Sequence, residues 1–348
     1  MTQILSQTRG PEHPNAVVFA CDDGHLPFAI FAADRIRRVE PDGKFDIMIC
    51  MPDISNVPER HKSGPVRFCQ IDFTALPDVP MVKDWITNAT YFRWVLPNAF
   101  VAEYQTLFYM DTDTYLARPG VQRLFDGITV KVPLSACTEF LNLGALNEDE
   151  TTRPDRAKAR DLGGKNGEYY NAGVYVCQPE EFIAMNGLER FVIAAQKNVE
   201  YLPIHRDQDQ GAMNLAFADD ILPLSPLYNW RARAWLHERE VSRYNPFLLH
   251  FAGPPKPWNR HDNPFIISYA EEYLGFLARE FPQIESKTLP RTAAWRRENP
   301  KHKIKLLEDI RIKLYLGRAA KKLKSYQDKH IDVKFDWMDQ KIAESVIG

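Results

Sequence analysis

The chain has 348 residues, 45% hydrophobic and 26% charged, which builds a folded domain and excludes a low-complexity scaffold. Its 44 Lys and Arg stand against 46 Asp and Glu; a formal net charge of -2 argues against a general nucleic-acid binder, and no nucleic-acid partner is expected. Cys21, Cys50, Cys69, Cys137 and Cys177 are odd in number, far apart and without CxxC spacing, so free thiols and a cytoplasmic setting are expected.

No basic stretch followed by an apolar one opens the chain, so no secretory signal is read. No uncharged apolar run approaches the ~20 residues of a spanning helix. Residues 16–20 are an apolar run of strand length, and 28–36 read as a helix with one apolar face. Residues 45–50, 66–71 and 107–110 are again strand-like. Residues 90–95 are helical and should end before Pro97, because proline disfavours helix at the preceding residue. Apolar strands between helices predict a parallel sheet covered on both faces, a Rossmann-like α/β fold with ligands beyond the carboxyl ends. Two acidic clusters, Asp22-Asp23 and Asp111-Thr112-Asp113, fall at such ends.

Further on, residues 134–137 and 173–177 read as strands, and 187–197 and 209–217 as helices. The charged stretch 142–167 reads as a surface loop or lid, and 266–281 as an amphipathic helix. Between residues 301 and 329, ten Lys or Arg face three Asp or Glu. Two readings of that segment stay open: a peripheral contact with anionic lipid, or a solvated helix packing on the domain.

The chemistry starts at Asp111 and Asp113. Where a strand persists, carboxylates two apart point the same way, so both can meet one divalent cation. Such strings also arise as solvated turns, and Asp207-Gln208-Asp209 is a second one. An apolar strand followed by Asp111-Thr112-Asp113-Thr114 is also similar to phosphatases of the haloacid dehalogenase superfamily. That reading makes Asp111 a phosphorylated nucleophile and Asp113 the general acid, with magnesium. It explains none of the later strings: Tyr170-Asn171-Ala172-Gly173, Asp209-Gln210-Gly211, Pro226-Leu227-Tyr228-Asn229, and the HxxGxxKPW run from His250 to Trp258. There an imidazole, a glycine and an ammonium spaced by three can supply a metal ligand, a backbone N–H and a cation for phosphate. Asp209, at a helix start, suits an N-cap.

In this order the strings resemble the glycosyltransferases of family 8, a retaining group that includes bacterial lipooligosaccharide galactosyltransferases and glycogenin. The resemblance runs from about residue 16 to 258 and rests also on Phe19-Ala20-Cys21-Asp22-Asp23 and Tyr91-Phe92-Arg93. It implies a GT-A fold over residues 15–265, with a nucleotide half (15–115) merged with a mixed-sheet metal and acceptor half (116–265). Residues 266–348 would be a mostly helical extension. By the resemblance Asp111, Asp113 and His250 hold Mn2+, or Mg2+ in its place, and Ala20 and Asp22 contact the uridine of a UDP-sugar. Gly253 and Lys256 bind phosphate, Thr112 lies between the acids at the donor, and Arg93, Glu139, Asn171, Ala172 and Asp209 orient the sugar. Gln210, with Asp209, is the catalytic candidate, and Asp207-Gln208 offers an overlapping register. The implied reaction moves galactose or glucose from a UDP-hexose to a hydroxyl of a glycan or lipid-linked glycan, as in bacterial lipopolysaccharide or surface polysaccharide synthesis. A non-catalytic glycan-binding relic of the same fold is the remaining alternative.

Overall fold

The computed structural model describes residues 3–81, 87–139, 154–162, 164, 167–232, 238–253, 256–258, 264–284 and 335–348. The basic segment 301–329 and residues 142–153 of the charged stretch therefore lie outside the described residues. The chain divides into two units. The first holds residues 1–230, 246–250 and 341–348, and the second holds 231–245 and 251–340.

The strands, in chain order, are β1 (Ile4–Gln7), β2 (Asn15–Ala20), β3 (Asp46–Met51), β4 (Arg67–Ile71) and β5 (Thr106–Met110). They continue with β6 (Thr114–Leu116), β7 (Ser135–Thr138), β8 (Tyr170–Cys177), β9 (Leu222–Pro223), β10 (Trp230–Arg231) and β11 (Leu248–His250). Eight of them make one sheet of order β1-β4-β3-β2-β5-β8-β7-β9; the others form a sheet of order β10-β11-β6. The four expected strands β2 to β5 are parallel neighbours, but β8 joins β5 antiparallel and β1 joins β4 antiparallel. The sheet is thus mixed rather than parallel throughout. Every residue of β3, β5 and β8 is buried, as strands covered on both faces require.

The crossover helix Leu26–Val39 is longer than its apolar stripe implied and starts with Pro27 in its first turn. Residues Asn88–Val95 form a 3-10 helix that runs into a helix at Leu96–Phe100. The 3-10 helix ends before Pro97, as expected, but helical structure continues past it. Pro97 sits in the first turn of the next helix, where its missing N–H removes no bond. Trp94 anchors this segment: fully buried, it stacks on Tyr175 of β8 at 5.3 Å and on Phe191 at 4.5 Å. The Tyr175 hydroxyl donates to the Arg93 carbonyl oxygen at 2.9 Å, so the arginine is locked to β8 before its own side chain bonds anything. The stretch read as a loop or lid contains a helix, Pro154–Leu162, built from a nearly continuous polar sequence that carries little apolar periodicity.

Residues 341–348 return to the first unit. Ile347, fully buried, bridges Leu224 in parallel, and Lys341 pairs with Glu168 at 2.8 Å. In the second unit, helix Pro264–Glu280 buries Tyr273 against Trp258, ring centroids 5.0 Å apart. Helix Glu238–Tyr244 is tied to Phe335 and Asp339 by a Tyr244 hydroxyl bond of 3.1 Å and an Arg243 ion pair of 2.7 Å. All five cysteines are buried and free, and burial pushes the Cys21, Cys50, Cys137 and Cys177 thiols up. Among the described residues no helix is long and apolar enough to cross a membrane.

Candidate active site

Strand β5 ends at Met110, and the two acids do not sit on a persisting strand. They occupy a turn into β6, held by Asp111 N–H donating to the Gly173 carbonyl oxygen at 2.8 Å and the Thr114 hydroxyl donating to the Asp111 carbonyl oxygen at 2.7 Å. Their convergence comes from this turn, not from the period-two alternation expected. Strand β6 pairs antiparallel with β11, and Thr114 lies opposite His250. The register brings the His250 Nε2 to 3.2 Å from Asp113 Oδ1 and 3.8 Å from Asp111 Oδ2. One ligand atom from each residue lies within 4.8 Å of the others. The downstream imidazole and both acids are brought together.

Several observations test whether a divalent cation fits. The donor set is two hard carboxylates and one imidazole, the chemistry of Mn2+ and similar ions. His250 Nδ1 is 2.8 Å from Asn229 Oδ1, so the ring has an outer partner of the kind that orients a ligating histidine. Gly173 leaves the space open: a Cβ there would stand 2.4 Å from His250 Cε1 and 2.6 Å from Asp111 Oδ2. Burial raises the Asp111 carboxyl above its ordinary range; the Arg93 guanidinium opposes this and Asp113 reinforces it. A dication beside the acids would relieve that charge. The residues fit the group.

A second set of groups lies beside the acids. Arg93, buried, reaches Asp111 Oδ1 with Nη2 at 2.8 Å, Asp209 Oδ2 with Nε at 3.3 Å, and the Ala172 carbonyl oxygen with Nη1 at 2.6 Å. The Tyr109 hydroxyl, kept protonated by burial, donates to Asp111 Oδ1 at 2.9 Å. Asp209 is not the N-cap of helix Asp209–Phe217: that position is Gln208, with no side-chain capping bond. Asp209 instead accepts from the Thr90 hydroxyl at 2.6 Å and faces Arg93, tertiary partners that displace the local cap. Gln210 Oε1 accepts from Asn171 Nδ2 at 2.8 Å and from Ala172 N–H at 3.3 Å, while Glu139 Oε2 accepts from Asn171 Nδ2 at 3.0 Å. The overlapping register points elsewhere. Asp207 is held by Lys158 at 2.6 Å and Tyr169 at 2.9 Å, and Gln208 by the Pro80 carbonyl oxygen at 3.1 Å. The geometry thus joins Asp209 and Gln210, and not Asp207 and Gln208, to the residues around the acids.

Ala20 closes β2, and Asp22 lies in the turn that follows. One Asp22 oxygen accepts from His25 N–H at 3.1 Å and lies 3.0 Å from His25 Nδ1; the other accepts from the Thr87 hydroxyl at 2.8 Å. Thr112 is buried between the acids. Gly253 and Lys256 belong to the second unit, where Gly253 takes the left-handed φ of 96° and Lys256 Nζ donates to the Phe251 carbonyl oxygen at 2.9 Å. Sequence reasoning missed Asn229, Tyr109 and Thr90. Asn229 stood in a noted string, Pro226-Leu227-Tyr228-Asn229, without a role. A second acid and imidazole group, Glu12, His13 and Asp46, lies at the start of β3. Asp46 there already accepts from Glu12 N–H, the Tyr104 hydroxyl and Arg9, at 2.9, 2.8 and 3.1 Å, which makes it a structural clasp.

Residues 16–262 match the family model of glycosyl transferase family 8, and the chain belongs to that family. It is a glycosyltransferase, and the phosphatase reading of the Asp111–Thr114 string falls away with the non-catalytic one. Among curated proteins it is 24% identical to general stress protein A of Bacillus subtilis (strain 168), over 62% of this chain and 73% of that protein. It is 24% identical to the lipopolysaccharide glucosyltransferase WaaO of Escherichia coli (strain K12), over 59% of each. A lipopolysaccharide 1,3-galactosyltransferase of Salmonella typhimurium is 25% identical over 54% of each chain. The chain thus spans just over half the length of two of these relatives. The solved structure of galactosyltransferase LgtC with donor and acceptor sugar analogs superposes with TM-score 0.59 at 19% identity, over 82% of this chain and all of that one. The bifunctional glycosyltransferase WbbM gives 0.55 at 17% identity, over 81% of this chain and 52% of that one. These likenesses are of fold, and the fold is the expected GT-A arrangement.

Proposed function

We propose that this glycosyltransferase is metal-dependent and retaining, and moves galactose or glucose from a UDP-hexose to a hydroxyl of a glycan acceptor. The observation that carries this is the convergence of Asp111, Asp113 and His250 past the end of β5, ligand atoms within 4.8 Å of one another. These residues would hold a divalent cation there, Mn2+ or Mg2+, whose charge would offset the negative charge of a departing diphosphate. Two of the relatives, named for glucosyl and galactosyl transfer in lipopolysaccharide, support a hexose donor and a bacterial surface glycan as acceptor.

Asp111, Asp113 and His250 would hold the ion, Ala20 and Asp22 would meet the uridine, Thr112 would line the donor, and Gly253 and Lys256 would take the phosphates. Arg93, Glu139, Asn171, Ala172 and Asp209 orient the sugar. Gln210 is a neutral amide and a poor nucleophile, so attack occurs on the front face. The anomeric carbon's bond to the phosphate oxygen breaks, a bond to the acceptor oxygen forms on the same side, and the acceptor proton passes to the departing phosphate oxygen. The Gln210 carbonyl oxygen is held by Asn171 and Ala172, so its dipole is set before the sugar arrives and steadies positive charge at the reacting carbon.

For a lipid-linked acceptor, the basic segment 301–329 is the proposed peripheral contact with an anionic membrane on its cytoplasmic side. Failure to float with anionic liposomes would remove that part. The central test is UDP release from a panel of UDP-sugars with Mn2+. Slow hydrolysis of UDP-galactose or UDP-glucose, abolished by EDTA and restored by metal, is expected. Hydrolysis indifferent to EDTA would overturn the metal dependence.

A further inference from the structure

The backbone N–H groups of Gly173 and Ala172 can only donate a hydrogen bond. Asn171 Oδ1 lies 3.0 Å from Gly173 N, so the Asn171 amide is held with its oxygen toward that donor. Its Nδ2 then faces Glu139 Oε2 at 3.0 Å, a carboxylate acceptor that agrees with the same orientation. Asn229 approaches the same Asn171 Oδ1 at 2.9 Å. Two amide oxygens would repel there, so Asn229 must present Nδ2 to Asn171 and turn its own oxygen the other way. That oxygen meets His250 Nδ1 at 2.8 Å. An acceptor at this distance requires a proton on Nδ1, so the neutral ring keeps its lone pair on Nε2, the nitrogen that faces Asp111 and Asp113. In the other direction Asn171 Nδ2 donates to Gln210 Oε1, whose second donor is Ala172 N–H. Every bond from Gln210 to His250 thus takes its sense from backbone groups that have no alternative.

We propose that Asn229 is a positioning residue that sets the tautomer and ring plane of His250 and braces Asn171, the side chain that holds the amide of Gln210. One buried relay of two asparagines then orients both a metal ligand and the residue at the reacting sugar. The inference rests on the roles given to His250 and Gln210 above. Asn229 is 1% exposed and Asn171 4% exposed, so water does not replace either bond when one partner is lost. The segment carrying Asn229 is itself braced: Asn229 N–H donates to the Pro226 carbonyl oxygen at 3.1 Å, and the Tyr228 hydroxyl to the Gly120 carbonyl oxygen at 3.0 Å. The amide is delivered by a packed turn rather than by a free loop.

Two variants separate the ends of the relay. Asn229→Ala removes both bonds; Asn229→Asp keeps the shape and the acceptor for His250 but loses the donor to Asn171. The first readout needs no metal: nitrogen-15 NMR of histidine-labelled protein, with the His250 signal assigned by its loss in His250→Gln. At a pH where the ring is neutral, the wild type should show the Nδ1-protonated tautomer, Asn229→Asp should keep it, and Asn229→Ala should not. Calorimetry of Mn2+ with UDP should then show affinity about 10- to 100-fold weaker in Asn229→Ala, the usual cost of removing a partner behind a metal ligand. Asn229→Asp should bind Mn2+ nearly as the wild type does but lose about tenfold or more in kcat at unchanged donor KM. An unchanged tautomer and affinity in Asn229→Ala would overturn the His250 half, and an unaltered kcat in Asn229→Asp the Gln210 half. If Asn229→Ala does not fold, the Asn229→Asp variant decides: loss of the tautomer or retention of full kcat sinks the proposal. Absence of Mn2+ binding in the wild type would instead count against the metal reading, while the tautomer measurement still judges the relay.

Discussion

Gly173→Ala probes the space beside the acids without removing any ligand. A Cβ placed there meets His250 Cε1 at 2.4 Å, Asp111 Oδ2 at 2.6 Å and His250 Nε2 at 3.1 Å. Carbon atoms in contact settle near 3.5 Å, so the ring has to retreat by about 1 Å. It has little room to do so. His250 is 2% exposed, its Nδ1 is bonded to Asn229, and its backbone is paired with Thr114. Asp111 is equally constrained, since Arg93 and Tyr109 both bond its Oδ1. Moving the Gly173 backbone instead would stretch the bond from Asp111 N–H to its carbonyl oxygen, 2.8 Å. Overpacking of this kind costs about 1–3 kcal/mol of stability. A displacement of about 1 Å at a reacting centre costs about 100-fold in rate. The expected result for Gly173→Ala is therefore a folded protein with a lowered unfolding midpoint, Mn2+ affinity in the presence of UDP weakened at least about tenfold, and kcat down about 100-fold. Calorimetry, urea unfolding and a UDP-release assay check the three. Wild-type Mn2+ affinity in a folded Gly173→Ala protein would refute the claim that the ion sits between these three side chains.

Asp113→Asn, which keeps the shape and removes one negative ligand, should abolish transfer and the metal dependence of UDP binding; calorimetry showing unchanged Mn2+–UDP affinity would contradict the role. Gln210→Ala should retain residual transfer, because front-face attack asks no nucleophile of it, and mass spectrometry of the wild type mixed with donor alone should find no sugar attached to this residue. Asp22 is held down to about 2, chiefly by the hydrogen bond from the His25 ring and further by the Thr87 hydroxyl, with burial opposing. A carboxyl depressed in the folded state stabilises above its unfolded value, and that contribution is lost as pH falls. The stability gap between wild type and Asp22→Asn should thus be present above 3.8 and shrink as pH falls from 3.8 towards about 2, read by urea unfolding at each pH. A gap that widens on acidification would reverse the sign and exclude this account.

The parallel centre of the sheet was legible because β2, β3 and β5 are covered on both faces and so are written as short apolar runs. Helix Asp209–Phe217 has the very bounds read from its residues. Where the reading failed, longer-range bonds had overridden a local rule. The segment before Pro97 ends as read, but it is a 3-10 helix pinned by Trp94 that hands over to a new helix there. Asp209 looked like a cap, yet Thr90, 119 residues away, takes its oxygen. The acids were expected on one strand face and converge through a turn instead. Asn229 had no signal of its own, because its two partners, Asn171 and His250, are separated from it by 58 and 21 residues. Order along the chain identified the family; only the pairing of distant segments reveals which amide faces which ring.

The pairing of β6 with β11 has a consequence for how the protein comes into being. Successive side chains on a strand alternate faces, so sliding β11 by one residue would put Leu249 opposite Thr114 and turn the imidazole away. The proposed third ligand, His250, is therefore placed by strand alignment, and it is synthesised 137 residues after Asp113. On the proposed reading, a nascent chain would have no complete set of ligands until residue 250 had emerged and paired with β6, so a cation would not template the earlier strands. Bound there, it would stabilise the finished molecule by mass action on the folded state.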